Sequence, residues 1–105
     1  MSGLLLILTE AKGERFAAAM EMAAATAALG RPVALLLRGE AILDLAEGRG
    51  AAYFATLSEL GAEIAVCQTA MATHRLTPDQ LPSGVEPQGM IAFLANRATW
   101  QTLLI

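Results

Sequence analysis

The sequence has 105 residues and a formal net charge of −3; 55% of its residues are hydrophobic and 16% are charged. This length is that of one domain with one core, residues 1–105, and no charge-free apolar run approaches the roughly 20 residues that cross a bilayer. No cluster of Lys or Arg is present, so we predict neither a nucleic-acid partner nor a membrane span.

The first predicted elements are a strand, a helix and a second strand. Gly3–Leu8 is a continuous apolar run, which is typical of a strand buried on both faces. Glu14–Leu29 is rich in Ala, Met and Glu and repeats apolar residues at three- and four-residue spacing, which predicts a helix. Gly30 is a candidate C-terminal residue for that helix. Pro32–Leu37 is then a second buried strand.

Two short helices and a third strand come next. Glu40–Glu47 and Ala51–Leu60 are amphipathic, and the glycines of Gly48-Arg49-Gly50 separate them. Glu63–Cys67 is a short apolar strand that ends on the only cysteine of the chain. Thr69–His74 is predicted as a short helix whose first residue is a candidate N-cap.

The last third of the chain begins with a proline-rich stretch. Arg75–Gln88 holds three of the four prolines and is predicted as a loop, with one helical turn after Thr77-Pro78. Gln88–Asn96 is a helix by its apolar spacing, and Trp100–Ile105 is a closing strand. Alternation of this kind predicts an α/β fold with a mostly parallel sheet and helices on both faces.

Three loops follow the predicted strands and meet at the carboxyl edge of the sheet, where ligands of open α/β sheets collect. They are Thr9–Gly13, Arg38–Glu40 and Cys67–Ala70. The first loop matches neither the phosphate-loop nor the dinucleotide pattern. Lys12 and Gly13 could still hold an anion through backbone N–H groups, but an ordinary turn is the interpretation we favour.

Other polar residues suggest sites that we consider and do not favour. Glu40, Asp44 and Glu47 share one helical face and could bind a divalent cation, but a solvated face is the favoured interpretation. His74 is the only histidine, and one His with one Cys falls short of a metal site, so we predict no metal and no cofactor. A Cys–His pair stays open, although helical spacing places His74 about 10 Å along the axis, on a neighbouring surface.

Two interpretations of Cys67 are open. Its predicted position before a helix N-terminus favours a nucleophilic thiolate, with Lys12 or Arg75 adding positive charge. Alternatively, free cysteines often pack as small buried apolar residues. One cysteine cannot form an intrachain disulfide, and the residues before the first apolar run lack the positive charge of a secretory signal. We therefore expect a cytoplasmic protein.

Several segments of the sequence resemble the DsrE/DsrF-like family, which has the YchN-like fold, and together they cover most of the chain. The matching segments are Gly13-Glu14-Arg15, Leu29-Gly30-Arg31-Pro32-Val33, Arg38-Gly39-Glu40-Ala41-Ile42, Leu60-Gly61-Ala62-Glu63-Ile64, Cys67-Gln68-Thr69-Ala70 and Gly84-Val85 through Gly89-Met90. The sequence departs from the family at His74-Arg75-Leu76, where a basic residue and a glycine often follow the cysteine. It also has Glu40 where the family commonly has Asp.

The resemblance implies a three-layer α/β/α fold with a parallel five-stranded sheet and a trimer or hexamer. It also implies that Cys67 accepts a sulfane sulfur as a persulfide and passes it to a partner protein. Sulfur donor and acceptor proteins would then be the partners. The candidate binding residues around this cysteine are Thr9, Lys12, Gly13, Gly39, Gln68 and Thr69.

A second hypothesis is a non-catalytic oligomeric module that binds a small anion or a protein partner in the same crevice, with Cys67 buried and inert. Its motive is the high apolar content, 55% of the residues, together with the missing acid–base machinery. A typical soluble domain carries about 25% charged residues, and monomers rarely expose large apolar patches. The 16% found here therefore predicts a homo-oligomer under either hypothesis.

Overall fold

The computed structural model describes residues 2–105, so Met1 of the predicted domain 1–105 lies outside the described residues. The strands are β1 (Leu4–Leu8), β2 (Val33–Leu37), β3 (Glu63–Cys67), β4 (Val85–Gln88) and β5 (Gln101–Leu104). The helices are α1 (Gly13–Ala28), α2 (Glu40–Ala46), α3 (Ala51–Glu59), α4 (Gln68–Thr73) and α5 (Met90–Ala95). The strands form one sheet in the order β4-β3-β2-β1-β5, and every neighbouring pair is parallel.

The apolar runs of the central strands bury side chains on both sides of the sheet. Leu6 and Leu35 point to the first face, where they pack with buried residues of α1, α2 and α3. Leu5 and Leu36 point to the second face, where the helical side chain at the centre of the cluster is Phe93 of α5. The two layers are unequal, because α1, α2, α3 and Met71 of α4 pack on the first face, whereas the main cover of the second face is the six-residue helix α5.

The handedness of the crossovers explains this inequality. The chain runs from β1 through β2 and β3 to β4 in one direction across the sheet, so right-handed connections place the intervening helices on the same face. It then returns past the whole sheet to β5, and this reversal puts α5 on the opposite face. The α/β/α layering with a five-stranded parallel sheet is therefore confirmed.

The strand β4 corrects the predicted loop at 75–88. Pro87 argues against a strand in a single sequence, because proline cannot donate to a ladder. Here β4 is at the edge of the sheet, and the N–H of Val85 bonds the carbonyl of Pro82 at 3.2 Å rather than β3. Because successive N–H groups of a strand point to opposite edges, the nitrogen of Pro87 also faces away from β3. Proline therefore costs this ladder nothing.

Other predicted boundaries move by a few residues. The N-cap of α4 is Cys67, so the prediction of Thr69 as a cap is wrong. The helix predicted from Gln88 begins at Met90, because Gln88 closes β4. The predicted turn after Thr77 is confirmed as a 3₁₀ turn at Pro78–Gln80, which Thr77 caps. Among residues 2–105, no helix combines the length and the apolar character needed to cross a membrane.

Candidate functional site

The sheet has one place where the chain leaves two neighbouring strands toward opposite faces. After β3 the chain enters α4, whose Met71 packs with the first-face cluster, and after β4 it enters α5 on the second face. Such a switch point opens a crevice at the carboxyl ends of the strands. A cleft of about 370 Å³ lies there, lined by Arg38, Gly39, Cys67, Thr69, Ala70, Thr73, His74 and Met90.

Cys67 lies at the floor of this cleft. It ends β3, pairs with Gln88 across the ladder, and its side chain belongs to the second-face cluster that includes Phe93. Only 6% of the residue is exposed, yet it contributes to the cleft lining. As N-cap of α4 it makes no side-chain cap hydrogen bond, and it forms no disulfide. The thiol is therefore free, and it faces a cavity on one side and apolar packing on the other.

The lining of the cleft carries positive charge without a compensating carboxylate. Arg38 contributes a guanidinium from the end of β2, and no Asp or Glu is among the lining residues. The hydroxyl of Thr73 donates to the backbone carbonyl of Thr69 at 3.0 Å, which fixes the Thr73 side chain, and both threonines line the cleft. Lys12 and Arg75, the cations expected from the sequence, are not part of the lining. The lining suits a ligand that carries negative charge.

The cleft unites some of the predicted site residues and leaves others outside. Gly39 and Thr69 line it together with the cysteine. Lys12 and Gly13 are exposed at the start of α1 and do not line it. Gln68 also stays outside, with its amide oxygen 3.8 Å from the position a Cβ on Gly89 would take.

Thr9 supports the neighbouring loop rather than the cleft wall. Its hydroxyl donates to the carbonyl of Ile105 at 2.7 Å, so it ties the end of β1 to the end of β5. Its own carbonyl accepts the N–H of Ala41 at 3.0 Å, and it lies 3.8 Å from the position a Cβ on Gly39 would take. Thr9 therefore positions the loop after β2, from which Arg38 and Gly39 reach the cleft.

His74 corrects the expectation that it lies on a neighbouring surface. It is half-buried at the C-terminus of α4 and lines the same cleft as Cys67, although no hydrogen bond joins the two side chains. The cleft extends beside α4, so a side chain at the far end of that helix still lines it. Residues four apart on a helix share a face, so the pairs Thr69–Thr73 and Ala70–His74 follow one stripe. That spacing is a sequence signal that could have identified the histidine.

Asp44 corrects the predicted solvated acidic face of α2. Glu40 and Glu47 are exposed, but Asp44 is only 6% exposed and accepts the N–H of Ala11 at 2.9 Å. Arg49 lies 3.6 Å from its other oxygen. Among residues 2–105 no group of three or more metal-binding side chains is assembled, so these carboxylates do not gather at one point. Asp44 instead fastens the loop after β1 to α2.

We expect Asp44→Ala to lower the free energy of unfolding by about 1–3 kcal/mol, because the buried N–H of Ala11 loses its acceptor. Asp44→Asn keeps an acceptor oxygen and should recover most of that loss. Urea unfolding of both variants measures the difference. Equal destabilisation by the two substitutions would show that the charge, and not the hydrogen bond to Ala11, is what the fold requires.

Comparisons with known proteins agree with this architecture. A model of the DsrE/DsrF-like family matches residues 3–98. The ychN protein from E. coli is similar in structure, with a TM-score of 0.84 at 14% identity and full coverage of both chains. A protein of unknown function from Methanobacterium thermoautotrophicum, MTH1491, has the same score, identity and coverage. At this identity the two structures show the shared fold alone. No protein of curated function matches the chain.

Proposed function

The chain belongs to the DsrE/DsrF-like family, and from that premise we propose that it is a sulfur carrier that holds sulfane sulfur on Cys67. The observation that carries the proposal is the cleft at the switch point between β3 and β4, with the only thiol at its floor and Arg38 in its wall. A carrier needs a nucleophilic sulfur, room for one added atom, and an opening through which a partner protein reaches it. The cleft supports the proposal, because it brings a free cysteine together with a cavity of about 370 Å³.

The chemistry proposed is the transfer of one sulfur atom between thiols. The Cys67 thiolate attacks the outer sulfur of a donor persulfide, the S–S bond of the donor breaks, and the donor leaves as a thiolate. A new S–S bond then exists on Cys67, with no net oxidation or reduction. Passing the sulfur to an acceptor thiol repeats the exchange in the opposite direction.

The side chains around the thiol have separate parts in this proposal. Arg38 and His74 line the cleft and would offer N–H donors to a sulfur atom held there. Gly39 and Thr69 shape the wall beside the sulfur. Met90 and Phe93 keep water from the apolar side of the cysteine, since Phe93 packs in its cluster and Met90 lines the cleft.

Loading with a small-molecule persulfide tests the proposal. Intact-mass analysis of the wild type should show a gain of about 32 Da, the mass of one sulfur atom, which a thiol reductant removes. Cys67→Ser is the matched control and should gain nothing, because it differs by one atom and the chain has no other cysteine. A wild type that gains no sulfur under conditions that load a reference thiol contradicts the proposal.

One observation favours a second candidate, the non-catalytic module with an inert cysteine. Cys67 is almost fully buried and belongs to an apolar cluster. A small disulfide reagent separates the two functions, since a carrier must react while folded. Labelling of the native protein within minutes supports the carrier, and labelling only in urea supports the module.

The proposal extends to partners and location. Donor and acceptor proteins would dock over the open side of the cleft, and the protein would be a homo-oligomer, either a trimer or a hexamer as the resemblance implies. A free thiol that must stay reduced between transfers suits the cytoplasm.

A further inference from the structure

Arg97 is a buried cation on the second face of the sheet. It follows the C-terminus of α5 and is only 9% exposed. One terminal nitrogen of its guanidinium donates to the carbonyl of Phe93 at 2.9 Å, and the other pairs with the carboxylate of Glu63. The Nε–H group has no acceptor within the described chain. Buried donors in native structures are nearly always paired, so this one calls for an explanation.

A polar cavity of about 380 Å³ lies beside this guanidinium. Its lining residues are Glu63, Gln88, Phe93, Asn96, Arg97 and Trp100, none of which lines the cleft at Cys67. Three of them carry side-chain donors in addition to Arg97, namely the two amides and the indole N–H. The unpaired donor of Arg97 therefore belongs to a residue in the wall of a second, separate cavity.

The unpaired donor lies on the edge of the guanidinium that matches a carboxylate. The Nε–H and the adjacent terminal N–H form a fork, and a carboxylate can fill it with both of its oxygens. Glu63 bonds this edge through one oxygen and leaves Nε–H unused. The Glu63 side chain is 68% exposed, and such pairs are weak, so it can turn aside at little cost. A carboxylate from outside would then occupy the whole fork.

The charges around the cavity specify more than an anion. Glu63 and Glu86 line an adjoining cavity of about 250 Å³, which shares Glu63, Gln88 and Phe93 with the first. Among residues 2–105, Glu86 forms no ion pair. A simple anion would face these two carboxylates, and a simple cation would face the guanidinium. A ligand with adjacent carboxylate and ammonium groups is complementary to both charges.

We propose that this cavity binds a free α-amino acid. The carboxylate of the ligand bonds the Nε–H and the terminal N–H of Arg97, and its ammonium group bonds Glu63, which turns away from the guanidinium to receive it. The ligand therefore replaces one ion pair with two and gives the buried Nε–H an acceptor. Trp100 offers an apolar ring to the side chain of the amino acid, beside the amides of Gln88 and Asn96.

Titration of the wild type with amino acids tests the proposal, because Trp100 is the only tryptophan and its ring lies 5.3 Å from the guanidinium of Arg97. Each non-aromatic standard L-amino acid is added to about 10 mM, and at least one should change the fluorescence with a Kd of about 1 mM or lower. Isothermal titration calorimetry repeats each titration, so that binding without a change in fluorescence is also detected. No saturable binding of any amino acid overturns the proposal.

Two analogues of the amino acid that binds best show whether both charges are read. The amine that lacks the carboxylate and the acid that lacks the ammonium group should each bind about tenfold more weakly or worse, because each leaves one charged contact unmade. Binding of either analogue with the affinity of the amino acid itself overturns the proposal.

Glu63→Gln separates a ligand contact from a structural role. This variant should bind the amino acid about tenfold more weakly and should bind the acid that lacks the ammonium group at least as well as the wild type, because a like charge is gone. A purely structural role would weaken both ligands alike, and that result, or unchanged binding of the amino acid, overturns the proposal. Circular dichroism checks the fold.

Two controls complete the test. Glu59→Gln removes an exposed carboxylate at the end of α3 and should bind both ligands like the wild type. Cys67→Ser should also bind the amino acid like the wild type, because Cys67 does not line this cavity. A failure to bind amino acids therefore leaves the sulfur-loading result unaffected, and the two proposals stand or fall separately.

Discussion

Phe93→Ala should lower the free energy of unfolding by about 3–5 kcal/mol. Phe93 is the one buried residue of α5 and is only 3% exposed. Its ring contacts the second-face strands, and the guanidinium of Arg97 stacks on it at 3.8 Å. The total free energy of unfolding of a native domain is about 5–15 kcal/mol, so this loss is a large share of its stability. Urea unfolding measures it.

The same substitution should also raise the reactivity of the Cys67 thiol, because α5 covers the apolar side of this residue. A second-face layer of six helical residues cannot stay docked without its aromatic anchor, so the thiol should react with a disulfide reagent faster than in the wild type. Ile91→Ala is the matched control in the same helix. Ile91 is 87% exposed, and its truncation should change stability by less than about 0.5 kcal/mol and leave labelling unaltered.

A small effect of Phe93→Ala would contradict this account. If it cost less than about 1 kcal/mol, α5 would be held by other contacts, of which the ion pair of Arg97 with Glu63 is the foremost. Glu63 is largely exposed, and such pairs contribute little on their own. We therefore expect the ring, and not the ion pair, to hold the helix.

Leu35→Ala should lower the free energy of unfolding by about 4–5 kcal/mol, and Leu36→Ala should lower it by about 2–3 kcal/mol. The two leucines are adjacent in the central strand β2 and are both fully buried. They differ in the helices that cover them, because Leu35 points to the first face and Leu36 to the second. Leu35 lies beneath the larger first-face layer, in which α1 and α3 contact each other, so the cavity left by truncation should stay open. Leu36 lies beneath the short α5, which can move inward and fill part of the space.

Paired urea titrations of the two variants measure this difference, and the change in midpoint should be larger for Leu35→Ala at an unchanged slope. Equal losses of free energy of unfolding would mean that α5 on the second face is as rigid as the helices on the first face. A larger cost for Leu36→Ala would mean that the second face, which carries Cys67, dominates the stability of the domain.

Much of the secondary structure follows from local pattern. The strand Glu63–Cys67 has the predicted bounds, and the other predicted strands and helices are displaced by at most two residues. These elements are specified by apolar runs, helical spacing and glycine breaks, all of which act over a few residues. The strand Val85–Gln88 was missed because its pairing with β3 is non-local, and its proline is acceptable only at an edge.

Part of the candidate site can also be predicted from the sequence. Cys67, Gly39 and Thr69 were predicted because they follow strands, and loops after parallel strands share one edge. The sequence indicates Arg38 only as part of a loop, and helical spacing predicts His74 on another surface, whereas both line the cleft. Whether a side chain turns into a cleft depends on neighbouring elements, here α4 and α5, whose positions no local pattern specifies. The predicted exposure of Asp44 is wrong for the same reason, since its partner Ala11 lies in a distant loop.

The sequence by itself determined that the only thiol ends a buried strand at the carboxyl edge of a parallel sheet, because strand periodicity and chain direction are local properties. The tertiary structure alone decided that this edge opens into a cleft. The opening arises where α4 leaves toward one face and α5 toward the other, and it exists because the chain reverses direction after β4. That reversal also left α5 as a thin cover over Cys67 and β5 as an open edge, since both depend on strand order rather than on any single segment.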